Sequence, residues 1–174
     1  MQSIQTVSEN TIYVGASDRR LAKFENLFPI PRGVSYNAYV ILDEKTALLD
    51  TADASVGAQF LENVAAALDG RKLDYLIVDH MEPDHAAMIE AVLVRWPDLR
   101  LVVNAKTLPM LKMYFPTDSA AIDDALVVKE GDTLDLGKHK LTFVMAPMVH
   151  WPEVMMTFDT TTGTLFSLSL IHIS

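Results

Sequence analysis

The sequence predicts an α/β fold: a mixed sheet with helices packed outside it, and a second sheet beside the first. Three observations carry that reading. An apolar hairpin comes early, strands and helices alternate through the middle, and after residue 125 the pattern is one of short strands. At 174 residues the chain has room for one domain with a sizeable core and too little for two.

Residues 11–16 (TIYVGA) read as a short strand, and 27–33 (LFPIPRG), with two prolines and a glycine, as loop or edge. Aromatic and β-branched enrichment marks 34–42 (VSYNAYVIL) as a strand. The Asp43-Glu44-Lys45 turn returns the chain into 46–50 (TALLD), which completes a hairpin. Asp53 is placed to cap the next helix, whose inner face is Val56, Phe60, Leu61, Val64 and Leu68 and which Gly70 stops. A strand at 74–79 (DYLIVD) precedes a helix at 85–96, with Met88, Ile89, Val92, Leu93 and Trp96 inward and Pro97 ending it. Residues 100–104 form a strand, and 106–115 a helix with Pro109 in its first turn. A polar, Asp-rich link then leads to strands at 125–129, 133–136, 140–146, 154–159 and 164–167.

Composition narrows the function. A hydrophobic share of 50% with 21% charged residues is that of a folded globular chain. The net charge of −9 argues against a nucleic-acid surface, and Arg19, Arg20 and Lys23 read as a solvated face. The absence of cysteine removes disulfides, thiolate zinc sites and Cys-ligated iron–sulfur clusters. The opening MQSIQTVSEN lacks the regions of a signal peptide, and no apolar run approaches the roughly 18–20 residues that span a bilayer. The expectation is a soluble cytoplasmic protein with neither nucleic acid nor membrane as partner.

The chemistry concentrates at residues 80–85, H-M-E-P-D-H, where His80, Glu82, Asp84 and His85 can all ligate a metal. In an extended loop alternate side chains share a side, so His80, Glu82 and Asp84 can converge, with His85 at the start of the following helix. Asp84 could equally cap that helix. Two ions need five or six ligands, so more must come from elsewhere, and His150, in the Pro-bracketed A-P-M-V-H-W-P after a strand, is the natural supplier. His139, beside lysines, reads as exposed. Asp50, ending a strand, is either a turn residue or a partner that orients a ligand His. Carboxylate oxygens beside imidazoles shift the preference from zinc toward iron or manganese, and ligand type alone does not decide it.

The runs V-G-A-S-D-R-R, F-E-N-L-F-P-I-P-R-G-V-S-Y-N-A-Y-V-I-L, D-H-M-E-P-D-H, A-P-M-V-H-W-P-E and G-T-L-F-S resemble the N-terminal domain of flavodiiron proteins over nearly the whole chain to Ser167. The resemblance implies a metallo-β-lactamase-like αββα sandwich, incomplete at the C-terminus. Hydrolases of that fold show H-x-H-x-D-H, and Glu82 stands here for the second His, which is the mark of a di-iron redox site. By matching position, His80, Glu82 and His150 are implied ligands of one iron, and Asp84 and His85 of the other. His85 is a ligand in only some family members. The implied function is reduction of dioxygen to water or of nitric oxide to nitrous oxide. Electrons would be relayed through FMN from an external donor such as a rubredoxin-like protein or a reduced flavin or deazaflavin system, within a head-to-tail homodimer.

The chain departs from the family where a bridging Asp is due, since Ser169 stands there, and no last His and no flavodoxin-like FMN domain follow. Residues 1–167 are therefore expected to be a partial di-iron domain. Residues 168–174 (LSLIHIS) read as a non-native tail, with His172 not counted as a ligand. The isolated chain is then expected to be inactive. The competing functions are a metal-dependent hydrolase of the same fold, in which a metal-bound hydroxide attacks an ester, thioester or lactam, and a non-catalytic metal-binding fragment.

Overall fold

The computed structural model describes residues 3–24, 26–116 and 119–168. Its main sheet begins with β1 (Gln5–Ser8) and β2 (Thr11–Tyr13), continues through β7 (Tyr39–Leu42), β8 (Thr46–Leu49), β9 (Tyr75–Ile77) and β10 (Arg100–Asn104), and ends at β11 (Leu126–Val128). The spatial order is the chain order; β1, β2, β7 and β8 pair antiparallel, and β8 to β11 parallel. Two small hairpins lie apart, β3 (Ala16–Asp18) with β6 (Val34–Tyr36), and β4 (Lys23–Phe24) with β5 (Phe28–Pro29). A second, antiparallel sheet runs in order β12 (Thr133–Asp135), β13 (Lys140–Met145), β14 (Met155–Asp159) and β15 (Thr164–Phe166).

The helices are α1 (Gly57–Leu68), α2 (Pro83–Ala86), α3 (Ile89–Arg95), α4 (Thr107–Tyr114) and α5 (Ser119–Asp123). They cross between parallel strands that always step in one direction, and right-handed crossovers of that kind place every helix on the same face. The packing follows. Val40, Leu48, Leu76, Leu101 and Val103 meet Phe60, Val64, Ile89, Val92 and Leu111 in one core. Their alternates Ile41, Leu49, Ile77 and Val102 meet Leu141, Phe143, Met155 and Phe166 of the second sheet in the other. The central strands are buried on both faces, which is why their sequences are continuously apolar. Helices, the seven-stranded sheet and the four-stranded sheet make three successive layers among the described residues, in keeping with the expected mixed α/β class.

Several elements differ from the sequence reading. The strand expected over 34–42 is two strands: β6 turns away to pair with β3, and β7 pairs with β2 and β8. The helix expected over 85–96 breaks at Ala87 and Met88. There the Thr51 hydroxyl donates to the His85 carbonyl at 2.6 Å and accepts from the Met88 amide at 3.3 Å, so a side chain stands in the helical ladder. The Asp-rich link contains α5, and β1 lies in the polar N-terminal stretch. Asp53 does cap, but it caps a 3₁₀ turn (Ala54–Val56) leading into α1, accepting from the Ser55 amide. The reading of 168–174 as a tail falls, beyond Leu168, outside the described residues.

Candidate metal centre

Parallel strands deliver the site at their carboxyl ends, where such sheets collect ligands. Asp50 follows β8, Asp79 and His80 follow β9, and Asn104 ends β10. Asp50 takes a left-handed backbone, φ 55°, and there its carboxylate accepts from the Asp79 amide at 2.8 Å and pairs with His85 Nδ1 at 3.1 Å. Asp50 thus orients His85, the second of the two roles open to it. Asp79 ties the sheets together: its carbonyl accepts from the Met155 amide at 3.0 Å and its carboxylate from the Thr157 hydroxyl at 2.9 Å. Burial, then the nearby Asp50 charge, raises the Asp79 carboxyl well above the usual range.

His80, Glu82, Asp84 and His85 are all buried, His80 and His85 almost completely. His80 Nε2 lies 3.0 Å from Glu82 Oε2, and so does His150 Nε2. One ligand atom from each of His80, Glu82 and His150 falls within 4.8 Å of the others, the spacing of a metal's donor set. His150 rides the loop between β13 and β14 and is exposed, so this donor set opens outward at one corner. Asp84 and His85 sit beside it, with His85 Nε2 at 3.5 Å from Asp84 Oδ2 and the His80 and His85 rings 5.5 Å apart. The structure therefore brings together all five sequence-predicted residues, in a group of three and an adjoining pair.

Asp84 does not cap α2: Glu82 occupies the cap position, its carboxylate turned to His80 and His150 and making no capping bond, and Asp84 Oδ1 is buried with no hydrogen-bond partner. A bare buried carboxylate oxygen is costly unless something binds it. Burial accordingly raises the Asp84 carboxyl, against the opposing His85 charge. Burial works against a proton on His80, but the Glu153 and Glu82 carboxylates outweigh it and raise His80 to about 9. In His85 burial is likewise outweighed, by Asp50. An acidic pocket that holds protons on its imidazoles is the metal-free counterpart of a cation site.

Two residues escaped the sequence reading. Glu153 is buried and accepts from His80 Nδ1 at 2.8 Å and the Met81 amide at 3.1 Å; its only sequence signal is its place three residues after His150. His139, expected exposed, is buried and bonded through Nδ1 to Asp159 at 2.8 Å, because the register of β13 against β14 brings the two together. A cavity of about 290 Å³ reaches Glu82 and Asp84 from outside, lined also by Tyr36, Asp53 and Ser55. Burial, with the Asp53 charge adding to it, raises the Tyr36 hydroxyl to about 12, so it stays protonated there. The strand bearing Tyr36 packs against Gly15 so closely that a Cβ on Gly15 would lie 1.9 Å from the Tyr36 carbonyl oxygen.

Two imidazoles and a carboxylate, adjoined by a second carboxylate–imidazole pair, thus meet at the strand ends of this sandwich. Residues 34–172 match the model of the ODP family beta lactamase. The chain belongs to that family. It is 36% identical over 154 residues to the nitric oxide reductase of Moorella thermoacetica, covering 87% of this chain and 38% of the relative. It is 36% identical over 163 residues to the anaerobic nitric oxide reductase flavorubredoxin of Klebsiella pneumoniae, covering 92% and 33%. Among solved structures it is similar to rubredoxin oxygen:oxidoreductase from Desulfovibrio gigas, with a TM-score of 0.87 and 31% identity over 94% of this chain and 40% of that one. The flavodiiron protein from Giardia intestinalis gives a TM-score of 0.86 at 26% identity, covering 96% of this chain and 40% of that one. The chain is thus similar to a part of these relatives and spans well under half of their length. No helix among the described residues is long and apolar enough to cross a membrane.

Proposed function

We propose that this chain is the iron-holding domain of a flavodiiron oxidoreductase that reduces dioxygen to water, nitric oxide to nitrous oxide, or both. The observation that carries the proposal is the convergence of His80, Glu82 and His150 within 4.8 Å beside the bare buried oxygen of Asp84. Mixed imidazole and carboxylate donors suit iron, and the adjoining Asp84 and His85 are the start of a second ion's ligand set. His80, Glu82 and His150 would hold one iron, and Asp84 and His85 would contribute to the other. Iron bound there supplies a place for the diatomic substrate and a store of reducing equivalents next to it.

The protein's own part is orientation and access. Glu153 and Asp50 direct the His80 and His85 rings, and their hydrogen bonds at Nδ1 leave Nε2 of each facing the site. The cavity at Glu82 and Asp84 gives a small substrate its way in past the protonated Tyr36 hydroxyl. Electrons would arrive through FMN, held outside these 174 residues, from a donor such as a rubredoxin-like protein or a reduced flavin or deazaflavin system. The working unit would be a head-to-tail homodimer in the cytoplasm.

Anaerobic loading of the 174-residue chain with ferrous iron tests the assignment. Iron should bind, compete with zinc, and be lost in H80A and E82A. Dioxygen or nitric oxide should then oxidise the bound ferrous iron, followed by its absorption, without sustained turnover by the isolated chain. Stoichiometric zinc that resists exchange, with ester or lactam hydrolysis, would instead support a hydrolase.

A further inference from the structure

We propose that Glu153 is the positioning residue of this centre: presented by the same loop that presents His150, it grips the His80 imidazole at Nδ1, so one loop sets both the position of one ligand and the donor strength of another. The inference rests on the reading of His80 as a ligand.

Four observations support it. Glu153 Oε1 takes two hydrogen bonds at once, from the His80 side chain and from the Met81 amide, so it fixes the ring relative to its own backbone. Glu153 Oε2 is buried and has no hydrogen-bond partner, so the His80 imidazole is the side chain that draws on this carboxylate. The loop is held at its base, where Asn104 Nδ2 donates to the Glu153 carbonyl and Lys106 Nζ to the Pro152 carbonyl at 3.1 Å. Asn104 is itself fixed, its Oδ1 accepting from the Lys106 and Thr107 amides at the start of α4. Asp50, which holds His85, likewise accepts a backbone amide, that of Asp79, but its bond to the ring is longer, 3.1 Å against 2.8 Å. The two imidazoles are therefore held at unequal distances, and the His80 contact is the shorter.

Zinc(II), a redox-silent and diamagnetic probe, tests this on ¹⁵N-labelled full chain. In the zinc-loaded wild type the His80 Nδ1 proton should resonate far downfield and exchange slowly, and H80A identifies the signal by losing it. E153Q keeps an acceptor but not the charge, so the proton should move upfield with a modest loss of zinc affinity. E153A should lose the proton to exchange and bind zinc about 10- to 100-fold more weakly. A role confined to packing would alter thermal stability without moving that resonance. If H80A binds zinc as the wild type does, the ligand assignment itself fails. If H80A loses zinc while E153Q and E153A keep wild-type affinity and an unshifted Nδ1 proton, the ligand assignment stands and the role of Glu153 is overturned. Should E153A not fold, judged by circular dichroism, the near-isosteric E153Q decides: an unmoved proton at unchanged affinity refutes the proposal.

Discussion

His80–Glu153 and His139–Asp159 are two pairs of the same kind: each joins Nδ1 to a carboxylate at 2.8 Å, and each histidine is almost wholly buried. They differ in what surrounds them. Asp159 also accepts from the Thr161 amide at 3.0 Å and the Thr162 hydroxyl at 2.6 Å, so its acceptor capacity is spent on the β14–β15 turn. The His139 amide donates to Asp43, which pins the pair to the β7–β8 turn. Around His80 the balance is reversed. Glu153 Oε2 and Asp84 Oδ1 have no donor, and the second ring nitrogen faces Glu82 and His150. A buried histidine–carboxylate pair is therefore no mark of function by itself; acceptors left over around it are. A saturated pair closes structure, and an unsaturated one is built for a cation.

The largest contrast between the pairs should be in metal binding. H80A, or E82A, should abolish binding at the three-residue donor set, and H139A should leave stoichiometry and affinity unchanged, both read by calorimetry and metal analysis. His80 holds its proton to about pH 9, so a metal must displace it. Below that pH, binding should release protons and tighten as pH rises. Equal losses in H80A and H139A would erase the distinction.

The contrast also shows what a sequence discloses. His80, Glu82, Asp84 and His85 are legible because ligands of one strand-end loop are neighbours in the chain, and His150 because its loop repeats that setting. Glu153 and His139 are not, because their roles depend on pairings 73 and 20 residues apart. The same holds for the fold. Continuous apolar runs announced β8, β9 and β10, but the split at residues 37–38 follows from which partner strand each half finds. The break after α2 comes from Thr51, more than thirty residues upstream of the helix it interrupts.

Stability should separate Asp159 from the site's Asp84 in sign. H139A leaves a buried carboxylate short of a partner and should cost about 2 kcal/mol in denaturant unfolding, as for a hydrogen bond to a charged group. Burial works against the Asp159 charge, but hydrogen bonds from Thr162 and His139 outweigh it and hold the carboxyl below its usual range. A depressed acid stabilises the fold above its unfolded pKa, and that contribution is lost as pH falls through the folded value. D159N should thus be less stable at neutral pH and lose less on acidification. Asp84 is the opposite case. Burial raises it, so its ionisation favours the unfolded chain, and the cost appears as pH rises from the unfolded through the folded value. Metal-free D84N should melt higher than wild type at neutral pH, by roughly 2–4 °C for each kcal/mol regained, while holding the second metal more weakly. A fall in its melting temperature would show that Asp84 is a structural residue like Asp159.

The smallest effect concerns backbone. Asp50 and Asp69 both occupy the left-handed region, at φ 55° and 47°, where a side chain is mildly strained. Asp69 lies at the end of α1, where glycine is the preferred residue, and its exposed side chain has no part in the site. D69G should change stability by less than about 1 kcal/mol, because relief of the αL strain offsets glycine's greater freedom in the unfolded chain. Metal binding should be untouched. D50G relieves the same strain but removes the acceptor of His85 Nδ1 and of the Asp79 amide. If strain at residue 50 were merely tolerated, the two substitutions would behave alike. The structure requires that they differ: D50G should be the less stable protein and should lose affinity for the second metal, since a left-handed Asp is what lets one carboxylate reach both the ring and the loop that carries it.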